Sequence, residues 1–557
     1  MTFSQTPESQ IAELKHLSQA RQSAFDYYRP LLESSDEILY VGAWNAVLST
    51  AGLERKKFAD AVRASRYGAV RRAAFAYFEK VLAHDFSEQV LSAPQTHEQN
   101  ADLDAMKASL SGDNDALLRA ETRQFLTTGR TTLSTGINPV DDLGAIAERV
   151  GGWRARLPWS VRSVLLAPHE PAAVFGLLML LYTANQDRSI DEVIAILNEN
   201  DLHPYIATIF SAASSYLKKD LTEAKRLIEA SKTARQSRAD MMKVGRTLSL
   251  RILGSLLEEQ KEYRGAYAAF VEFNRLTQDP KIDLARFGKA TSARGRLVIP
   301  RLPADDRTSD FMMLGFPRSG TTLLENALAA HPAIETFEEQ PTLTAATSAL
   351  EIASAGGSLL SIEDFVTARG RYYSEVDRRR RKMDASILVD KMPMRSAEAR
   401  FLIKLFPDKR YLFSVRHPFD VVLSCFRQHF EPNAAMVHFY TIADASRLYD
   451  YTMSQWFSVF GLNDSRVEYV RYDKLVEQFE PTLRTTLKFL GAEWHDAVQS
   501  FAKAAEERLN RTPSYQKVRQ GLSIGVQTYW RNYKFVFDSP DAKPLHKWAE
   551  FFGYPTS

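Results

Sequence analysis

The chain has 557 residues, of which 45% are apolar and 25% are charged; this composition is typical of a globular protein, and the length is too great for a single hydrophobic core. Its 71 Lys and Arg residues face 68 Asp and Glu residues, so a net charge of +3 gives no argument for binding nucleic acid or a membrane. The single cysteine, Cys425, excludes a disulfide within the chain.

The first 300 residues predict an almost entirely helical region, because apolar residues recur at spacings of three and four. We assign a helical region to residues 1–160 and a second, repetitive one to residues 161–300. The polar first residues lack the pattern of a signal peptide, and the most apolar stretch, 172–181, is too short to span a bilayer. We therefore expect a cytoplasmic protein.

The second helical region contains similar segments. Residues 214–224 align with residues 254–266, and a weaker copy covers 182–197. They resemble tetratricopeptide-type helix pairs, in which a small residue such as Ala224 or Ala266 lets the second helix pack closely. The resemblance implies a surface that binds a peptide or protein, or one that serves oligomerisation. A non-repetitive helical domain is the alternative.

Prolines and an acid pair within 298–306 interrupt the helical pattern. Beyond them, the sequence shows short apolar runs that alternate with predicted helices. Residues 311–315, 386–389, 411–415 and 467–472 predict strands of a parallel sheet. Residues 306–557 therefore predict an α/β domain, in which ligands bind at the carboxyl ends of the strands.

The loop after the first of these strands has the form of a phosphate-binding loop. Gly315 and Gly320 have the spacing of the two glycines in G-x-x-x-x-G-K-[ST], and a helix opens at Thr322. Thr321 replaces the lysine that a nucleoside triphosphate enzyme uses on the β- and γ-phosphates. The loop therefore predicts a site for a different anion.

A second motif lies about a hundred residues later. The predicted strand 411–415 is followed by Arg416, and Ser424 lies on the helix that begins near Asp420. Arginine offers a charged fork suited to phosphate, and serine adds a neutral donor. His417 between them is interpreted as part of the turn.

These two motifs together resemble the sulfotransferase superfamily, over residues 308–535. The resemblance implies the sulfotransferase fold, with a P-loop-like parallel sheet, and 3′-phosphoadenosine 5′-phosphosulfate as the co-substrate, without a metal. It implies that the loop residues Arg318, Ser319, Gly320, Thr321 and Thr322 bind the 5′-phosphosulfate. It places Arg416 and Ser424 at the 3′-phosphate.

The same resemblance implies three catalytic residues. Lys391 lies just after the predicted strand 386–389 and would contact the phosphosulfate bridge. Arg318 would supply a second fixed positive charge beside it. Tyrosylprotein sulfotransferases carry a Glu-Glu pair at the distance of Glu338 and Glu339 from the loop, so Glu339 would be the general base. Structural ion pairs are the alternative interpretation of Lys391 and of both glutamates.

Later segments resemble further parts of the nucleotide site. Tyr472 would approach the adenosine nucleotide, and Ser514 and Trp530 would lie in a C-terminal flap, with Trp530 as a core residue in the alternative. The basic run 378–382 predicts a solvated helix face, or else a contact for an acidic ligand.

The N-terminal helices are consistent with bacterial sulfotransferases that carry tetratricopeptide-like repeats. The sequence thus predicts a sulfotransferase acting on a hydroxyl of a protein tyrosine, a glycan or a small molecule. A lysine-less P-loop kinase and a non-catalytic helical-repeat adaptor are the alternatives.

Overall fold

The computed structural model describes residues 171–232 and 239–557, except 279–280, 300, 305–306, 355–358, 381, 383, 431 and 501–525, together with four positions between 157 and 164. The predicted helical region 1–160 thus lies almost wholly outside the described residues. The chain divides into two compact units between Ser249 and Leu250. The domain limits drawn from the sequence stay predictions.

The described part of the first unit is helical, in agreement with the sequence pattern. Its helices are amphipathic or apolar and pack through buried aliphatic and alanine side chains, such as Ile190, Ala213 and Ala224. The fifth helix contains the division between the units. These helices are α1 (Pro171–Thr183), α2 (Asp187–Glu199), α3 (Pro204–Leu217), α4 (Leu221–Ser231) and α5 (Ala239–Glu259).

The turns that join α1 to α2, α3 to α4, and α5 to α6 (Tyr263–Thr277) share one geometry. Each has one residue with a left-handed backbone, namely Asn185, Lys219 and Lys261, with φ of 56°, 66° and 63°. In each turn the following N–H donates to a carbonyl five residues earlier, which closes the helix end. The segments aligned from the sequence therefore correspond to equivalent helix–turn–helix positions. Their tetratricopeptide-like character stays a prediction.

The second unit is built on a five-stranded parallel sheet with the order β2-β3-β1-β4-β5. All four predicted strands are present, within one or two residues of the expected bounds. The fifth strand, β2, was not predicted, because it is only five residues long and lies immediately before Glu339, the expected general base. The strands are β1 (Asp310–Gly315), β2 (Ile334–Glu338), β3 (Ile387–Lys391), β4 (Arg410–Val415) and β5 (Val467–Arg471).

Helices cover the sheet, as expected for parallel strands, whose apolar residues are buried on both faces. One core cluster joins β1 and β3 to two of these helices, through residues such as Met313, Leu324 and Leu487. The remaining helices are α7 (Ala285–Arg296), α8 (Thr321–Ala329), α9 (Thr342–Ala353), α10 (Ile362–Arg379), α11 (Ala399–Leu405), α12 (Pro418–Phe426), α13 (Ile442–Phe457), α14 (Tyr472–Glu477), α15 (Phe479–Leu490), α16 (Lys534–Phe537) and α17 (Lys543–Phe551).

Short 3₁₀ segments connect several of these elements, at Pro393–Glu398, Met436–Tyr440, Asp496–Ser500, Val526–Tyr533 and Pro540–Ala542. Because every strand pair is parallel, the carboxyl ends of all five strands lie at one edge of the sheet. This edge collects the residues that follow Gly315, Glu338, Lys391, Val415 and Arg471. The expected α/β domain is therefore confirmed, and its strand ends bring the predicted motifs to one edge.

Candidate active site

The loop between β1 and α8 is shaped by two glycines with positive backbone angles. Gly315 has a φ of 150° and Gly320 a φ of 104°. A Cβ atom on Gly320 would lie 2.5 Å from the ring of Tyr472, so a side chain there would displace that ring. Ser319 N–H donates to the carbonyl of Phe316 at 3.1 Å and closes the turn. The loop leads the chain onto the N-terminus of α8, where a phosphate group is favoured.

Arg318 lies inside this loop and also has a left-handed backbone, with a φ of 72°. Its Nε donates to Oγ of Ser424 on α12 at 2.9 Å. Burial, together with the positive charges of Arg416 and Arg427, lowers the pKa of Arg318 to about 10. A guanidinium that is costly to bury among other cations would be stabilised by an anionic ligand.

Arg416 follows the last residue of β4 and joins the same group. Its Nη1 donates to the main-chain carbonyl of Arg318 at 3.2 Å. Its guanidinium lies over the ring of Tyr472, at 4.5 Å from the ring centroid. The structure therefore brings together Arg318, Ser424, Arg416 and Tyr472, which the sequence placed in three separate segments.

The hydroxyls of the loop are buried. Ser319, Thr321 and Thr322 are 2%, 4% and 4% exposed. The Oγ atom of Ser319 finds no hydrogen-bond partner among the described residues. Since buried hydroxyls in proteins nearly always have a partner, this atom fits an oxygen of a bound phosphate or sulfate group.

Lys391 is the last residue of β3, and its side chain is fully buried. Three carboxylates surround its Nζ: Glu325 at 3.0 Å, Glu339 at 3.3 Å and Glu338 at 3.7 Å. Although burial acts to lower the pKa of Lys391, the charges of these glutamates raise it well above the usual lysine value. Lys391 is therefore a fixed cation at the sheet edge, one strand away from the phosphate loop.

Glu339 is the most accessible of the three carboxylates, with 36% of its side chain exposed, against 14% for Glu338 and 5% for Glu325. Its backbone is left-handed, with a φ of 49°, and its N–H donates to the carbonyl of Lys391 at 2.9 Å. The chain thus turns away from β2 at Glu339, while the backbone of this residue stays hydrogen-bonded to β3. This arrangement leaves a carboxylate that a substrate could reach beside a buried lysine.

A buried polar network holds the segment after Glu339 against the sheet. Thr342, the first residue of α9, donates from Oγ1 to Oδ2 of Asp390 at 2.7 Å, and the hydroxyl of Tyr372 donates to the same oxygen at 3.1 Å. Burial raises the pKa of Asp390, against these two donors. Asp390 precedes Lys391, so neighbouring residues of β3 fix the two ends of the turn that carries Glu339.

The basic run 378–382 also contributes to this fixation. Arg379 donates to Oε1 of Gln340 at 2.7 Å, and Lys382 Nζ donates to the carbonyl of Ile334 at 2.9 Å. Arg380 pairs with Glu335 on β2. The described residues of the run therefore tie the end of α10 to β2, which differs from both the solvated face and the ligand contact considered from the sequence.

The histidine beside Arg416 has a structural role. His417 accepts from the N–H of Phe419 at 3.2 Å through Nδ1, so its Nε2 carries the proton and donates to the carbonyl of Pro555 at 2.8 Å. Burial lowers the pKa of His417 to about 4. It caps α12 as a neutral ring, which agrees with its interpretation as a turn residue.

The structure describes one of the two residues assigned to a C-terminal flap. Trp530 is fully buried, and its ring packs against His417 and Phe419, with centroids 5.1 Å and 4.9 Å away. This placement is that of a core residue, and a cofactor contact of Trp530 stays a prediction. Ser514 lies outside the described residues.

Three residues of this site were missed from the sequence. Glu325 lies within α8 among apolar residues, at a position where nothing distinguishes it from a surface glutamate. Asp390 accepts hydrogen bonds from side chains of α9 and α10, and no local pattern in the sequence predicts these partners. Arg427 had no motif at all, and only the folded structure brings its charge near Arg318.

The sheet of the second unit thus places a loop rich in cationic and hydroxyl side chains beside a lysine–glutamate pair. Residues 310–496 match the model of the sulfotransferase family. This part of the chain thus belongs to the sulfotransferase superfamily, as the motifs had indicated.

An uncharacterized protein of Aquifex aeolicus (strain VF5) is 23% identical over 306 residues, which cover 51% of this chain and 39% of that relative. The match therefore spans about two fifths of the length of the curated relative. Among solved structures, the sulfotransferase domain of the Synechococcus PCC 7002 olefin synthase is 19% identical, with a TM-score of 0.33, over 46% of this chain and 99% of that one.

The sulfotransferase domain from the curacin biosynthetic pathway is 18% identical, with a TM-score of 0.32, over 46% of this chain and 100% of that one. A sulfotransferase from Alicyclobacillus acidocaldarius is 15% identical, with a TM-score of 0.26, over 45% and 98%. Because these likenesses are low, the family assignment rests on the matched family model and on the motifs.

Within the described part of the chain, no helix is both long and apolar enough to cross a membrane. The same residues hold no group of three or more His, Cys, Asp or Glu side chains arranged to bind a metal ion. The cytoplasmic location stays a prediction.

Proposed function

We propose that this protein is a sulfotransferase that moves a sulfuryl group from 3′-phosphoadenosine 5′-phosphosulfate to an acceptor hydroxyl. The observation that carries the proposal is the junction of the two motifs, where Arg318 contacts both Ser424 and Arg416. The neighbouring guanidinium groups of Arg318 and Arg416 suit a ligand that carries phosphate at both ends of a nucleoside, whereas the nearby Arg427 is paired with Glu258.

The residues fit the donor in distinct parts. The loop 318–322 and the N-terminus of α8 would hold the 5′-phosphosulfate, with the unpartnered Ser319 hydroxyl as one donor. Arg416 and Ser424 would hold the 3′-phosphate. Tyr472, already stacked under Arg416, would lie beside the adenosine. The bound donor supplies a sulfuryl group on a good leaving group, and the chain supplies position and charge.

The lysine–glutamate pair would carry out the transfer. Glu339 takes the proton of the acceptor hydroxyl while the acceptor oxygen bonds to sulfur. The bond between sulfur and the bridging oxygen breaks, and its electron pair stays on that oxygen, so adenosine 3′,5′-bisphosphate leaves. Lys391 and Arg318 stabilise the negative charge that develops on the leaving phosphate.

The acceptor is a protein tyrosine, a glycan or a small molecule. The Glu338-Glu339 pair resembles that of the tyrosylprotein sulfotransferases, which favours a tyrosine. Pro341, however, replaces the arginine that those enzymes have two places after the base. The helical repeats would bind a peptide acceptor or a partner protein, or would serve oligomerisation.

Calorimetry tests the proposal without knowledge of the acceptor. The full chain is titrated with adenosine 3′,5′-bisphosphate, with AMP, and with ATP and Mg²⁺. We expect a clear preference for the 3′,5′-bisphosphate, at least tenfold over AMP, which Arg416→Ala removes. A preference for ATP with Mg²⁺ would favour the kinase alternative, and no binding of any of the three would favour the adaptor.

A further inference from the structure

The buried partner of Lys391 lies on the helix that begins at the phosphate loop. Glu325 is one turn into α8, and its Oε2 lies 3.0 Å from Lys391 Nζ. Both side chains are excluded from solvent, at 5% and 0% exposure. The other carboxylate oxygen of Glu325 accepts from the hydroxyl of Thr336 on β2 at 3.2 Å. Glu325 therefore links three elements, α8, β2 and β3, through one carboxylate.

The three carboxylates around Lys391 differ in what else they can do. Glu325 is enclosed, with Oε2 ion-paired with Lys391 and Oε1 accepting a hydrogen bond from Thr336, so no acceptor could reach it. Glu339 is 36% exposed and is the one that faces solvent, although its Oε1 also accepts a hydrogen bond from Lys391 Nζ at 3.3 Å. If Glu325 were absent, Lys391 would remain buried with Glu338 and Glu339 as its counterions. Because a buried charge requires close compensation, the lysine would move toward them and away from α8.

We propose that Glu325 is a positioning residue, which holds the Lys391 ammonium against the helix of the phosphate loop and leaves Glu339 available to take the acceptor proton. The inference rests on the proposed sulfotransferase function. Three carboxylates share the Lys391 ammonium. When Glu325 binds it, the ammonium is fixed relative to the loop where the donor phosphate would lie. A lysine bound mainly by Glu339 would occupy the base instead.

The first readout does not depend on activity. The full chain is labelled with 13C-lysine, and the Lys391 Cε signal, assigned with Lys391→Arg, is followed by NMR against pH. Glu325 is the charge that raises the pKa of Lys391 most. We therefore expect Lys391 to stay protonated up to the alkaline limit of the native fold in wild type. In Glu325→Gln its titration should move down into the measured range.

The second readout is kinetic. For Glu325→Gln we expect kcat for sulfuryl transfer to fall at least tenfold, with the KM of the donor changed less than threefold. Glu325→Asp keeps the charge but shortens the reach, and should lie between wild type and Glu325→Gln in both readouts. Glu335→Gln is the matched control, since it removes a buried carboxylate of β2 that pairs with Arg380 rather than Lys391. It should keep the wild-type Lys391 titration.

The outcomes separate this inference from the proposed function. A folded Glu325→Gln protein with the wild-type Lys391 titration would overturn the positioning role. Should Glu325→Gln fail to fold, the same titration on Glu325→Asp decides: an unchanged curve overturns the role, and a downward shift supports it. A wild-type protein that neither binds adenosine 3′,5′-bisphosphate nor transfers sulfuryl refutes the function, while the Lys391 titration still reports the pairing.

Discussion

Arg318 donates a hydrogen bond from Nε to Oγ of Ser424 at 2.9 Å, which joins the phosphate loop to the helix after β4. The two residues are far apart in sequence, but β1 and β4 are neighbours in the sheet, and the loop of Arg318 and the helix of Ser424 follow the carboxyl ends of these strands. Topology thus converts two separate motifs into one cationic site. The binding and transfer steps of the proposed reaction can then be tested separately.

Arg416→Ala should weaken binding of adenosine 3′,5′-bisphosphate by roughly 10- to 100-fold, because a hydrogen bond to a charged group contributes about 1.5–3 kcal/mol. The loss has a second cause, since Arg416 also bonds to the carbonyl of Arg318 and stacks on Tyr472. Calorimetry measures the effect. Arg416→Lys keeps the charge without the fork and should bind with intermediate affinity. Wild-type affinity in Arg416→Ala would remove this residue from the site.

Glu339→Gln should reduce turnover at least 100-fold while the affinity for adenosine 3′,5′-bisphosphate changes less than threefold. The amide keeps the size of the side chain but cannot take a proton, and Glu339 contacts Lys391 rather than the cationic group at Arg318. Sulfuryl transfer and calorimetry are measured on the same preparation. Equal losses of binding and turnover would contradict the assignment of Glu339 as the base.

Gly320→Ala should disrupt the phosphate loop. Its φ of 104° strains any other residue, and the new Cβ would lie 2.5 Å from the ring of Tyr472. A strained backbone of this kind costs roughly 1–3 kcal/mol, and we expect nucleotide affinity to fall at least tenfold. Urea denaturation and calorimetry measure the two effects.

Gly370→Ala is the control for that change. Gly370 lies within α10, and a Cβ there meets nothing within 4 Å. This variant should leave nucleotide affinity unchanged and raise stability by up to about 1 kcal/mol, since alanine favours a helix. If Gly320→Ala behaved like Gly370→Ala, the loop would not need its glycine.

The sequence predicts the strands and strand-end motifs of the sheet well, because each is a local pattern. An apolar run followed by a glycine-rich turn predicts the loop between β1 and α8, and the Arg416–Ser424 spacing predicts a second phosphate contact. Strand β2 was missed, since Ile334–Glu338 is a short segment whose burial depends on pairing with β3.

The long-range contacts could not be predicted from single residues. In the sequence, nothing distinguishes Glu325 from an ordinary helix residue. Only in the folded structure does β3 place Lys391 beside it. The basic run has the pattern of a solvated surface. In the folded structure, however, Arg380 pairs with Glu335 and Arg379 donates to Gln340. Such partners depend on strand order, which local periodicity does not encode.

Thr342→Val should release the turn that carries Glu339. It removes the hydroxyl that donates to Asp390 at 2.7 Å and leaves that buried carboxylate with fewer donors. We expect a loss of about 1–2 kcal/mol in the free energy of unfolding, and a lower kcat with little change in the donor KM. Thr347→Val is the control on the same helix, because the Thr347 hydroxyl donates to the carbonyl of Thr344 within that helix. Equal kinetic effects in the two variants would count against a role for the network.

His417 gives the fold a defined dependence on pH. Its pKa is about 4 in the native state, against about 6.5 for an unperturbed histidine, because its ring is buried and would have to lose hydration to become charged. Between these values the unfolded chain binds a proton that the native state does not. The stability from this residue is therefore fully present above pH 6.5 and is lost as pH falls towards 4.

The shift corresponds to about 3 kcal/mol over that range. His417→Asn keeps an acceptor for the N–H of Phe419 but does not titrate. We expect the variant to be less stable than wild type at pH 7.5, because it loses the bond to Pro555 and the packing on Trp530. The difference between the two proteins should shrink as pH falls from 6.5 to 4.5, as urea denaturation would measure. A constant difference across that range would mean that His417 is protonated in the native state, and the neutral cap of α12 would then be wrong.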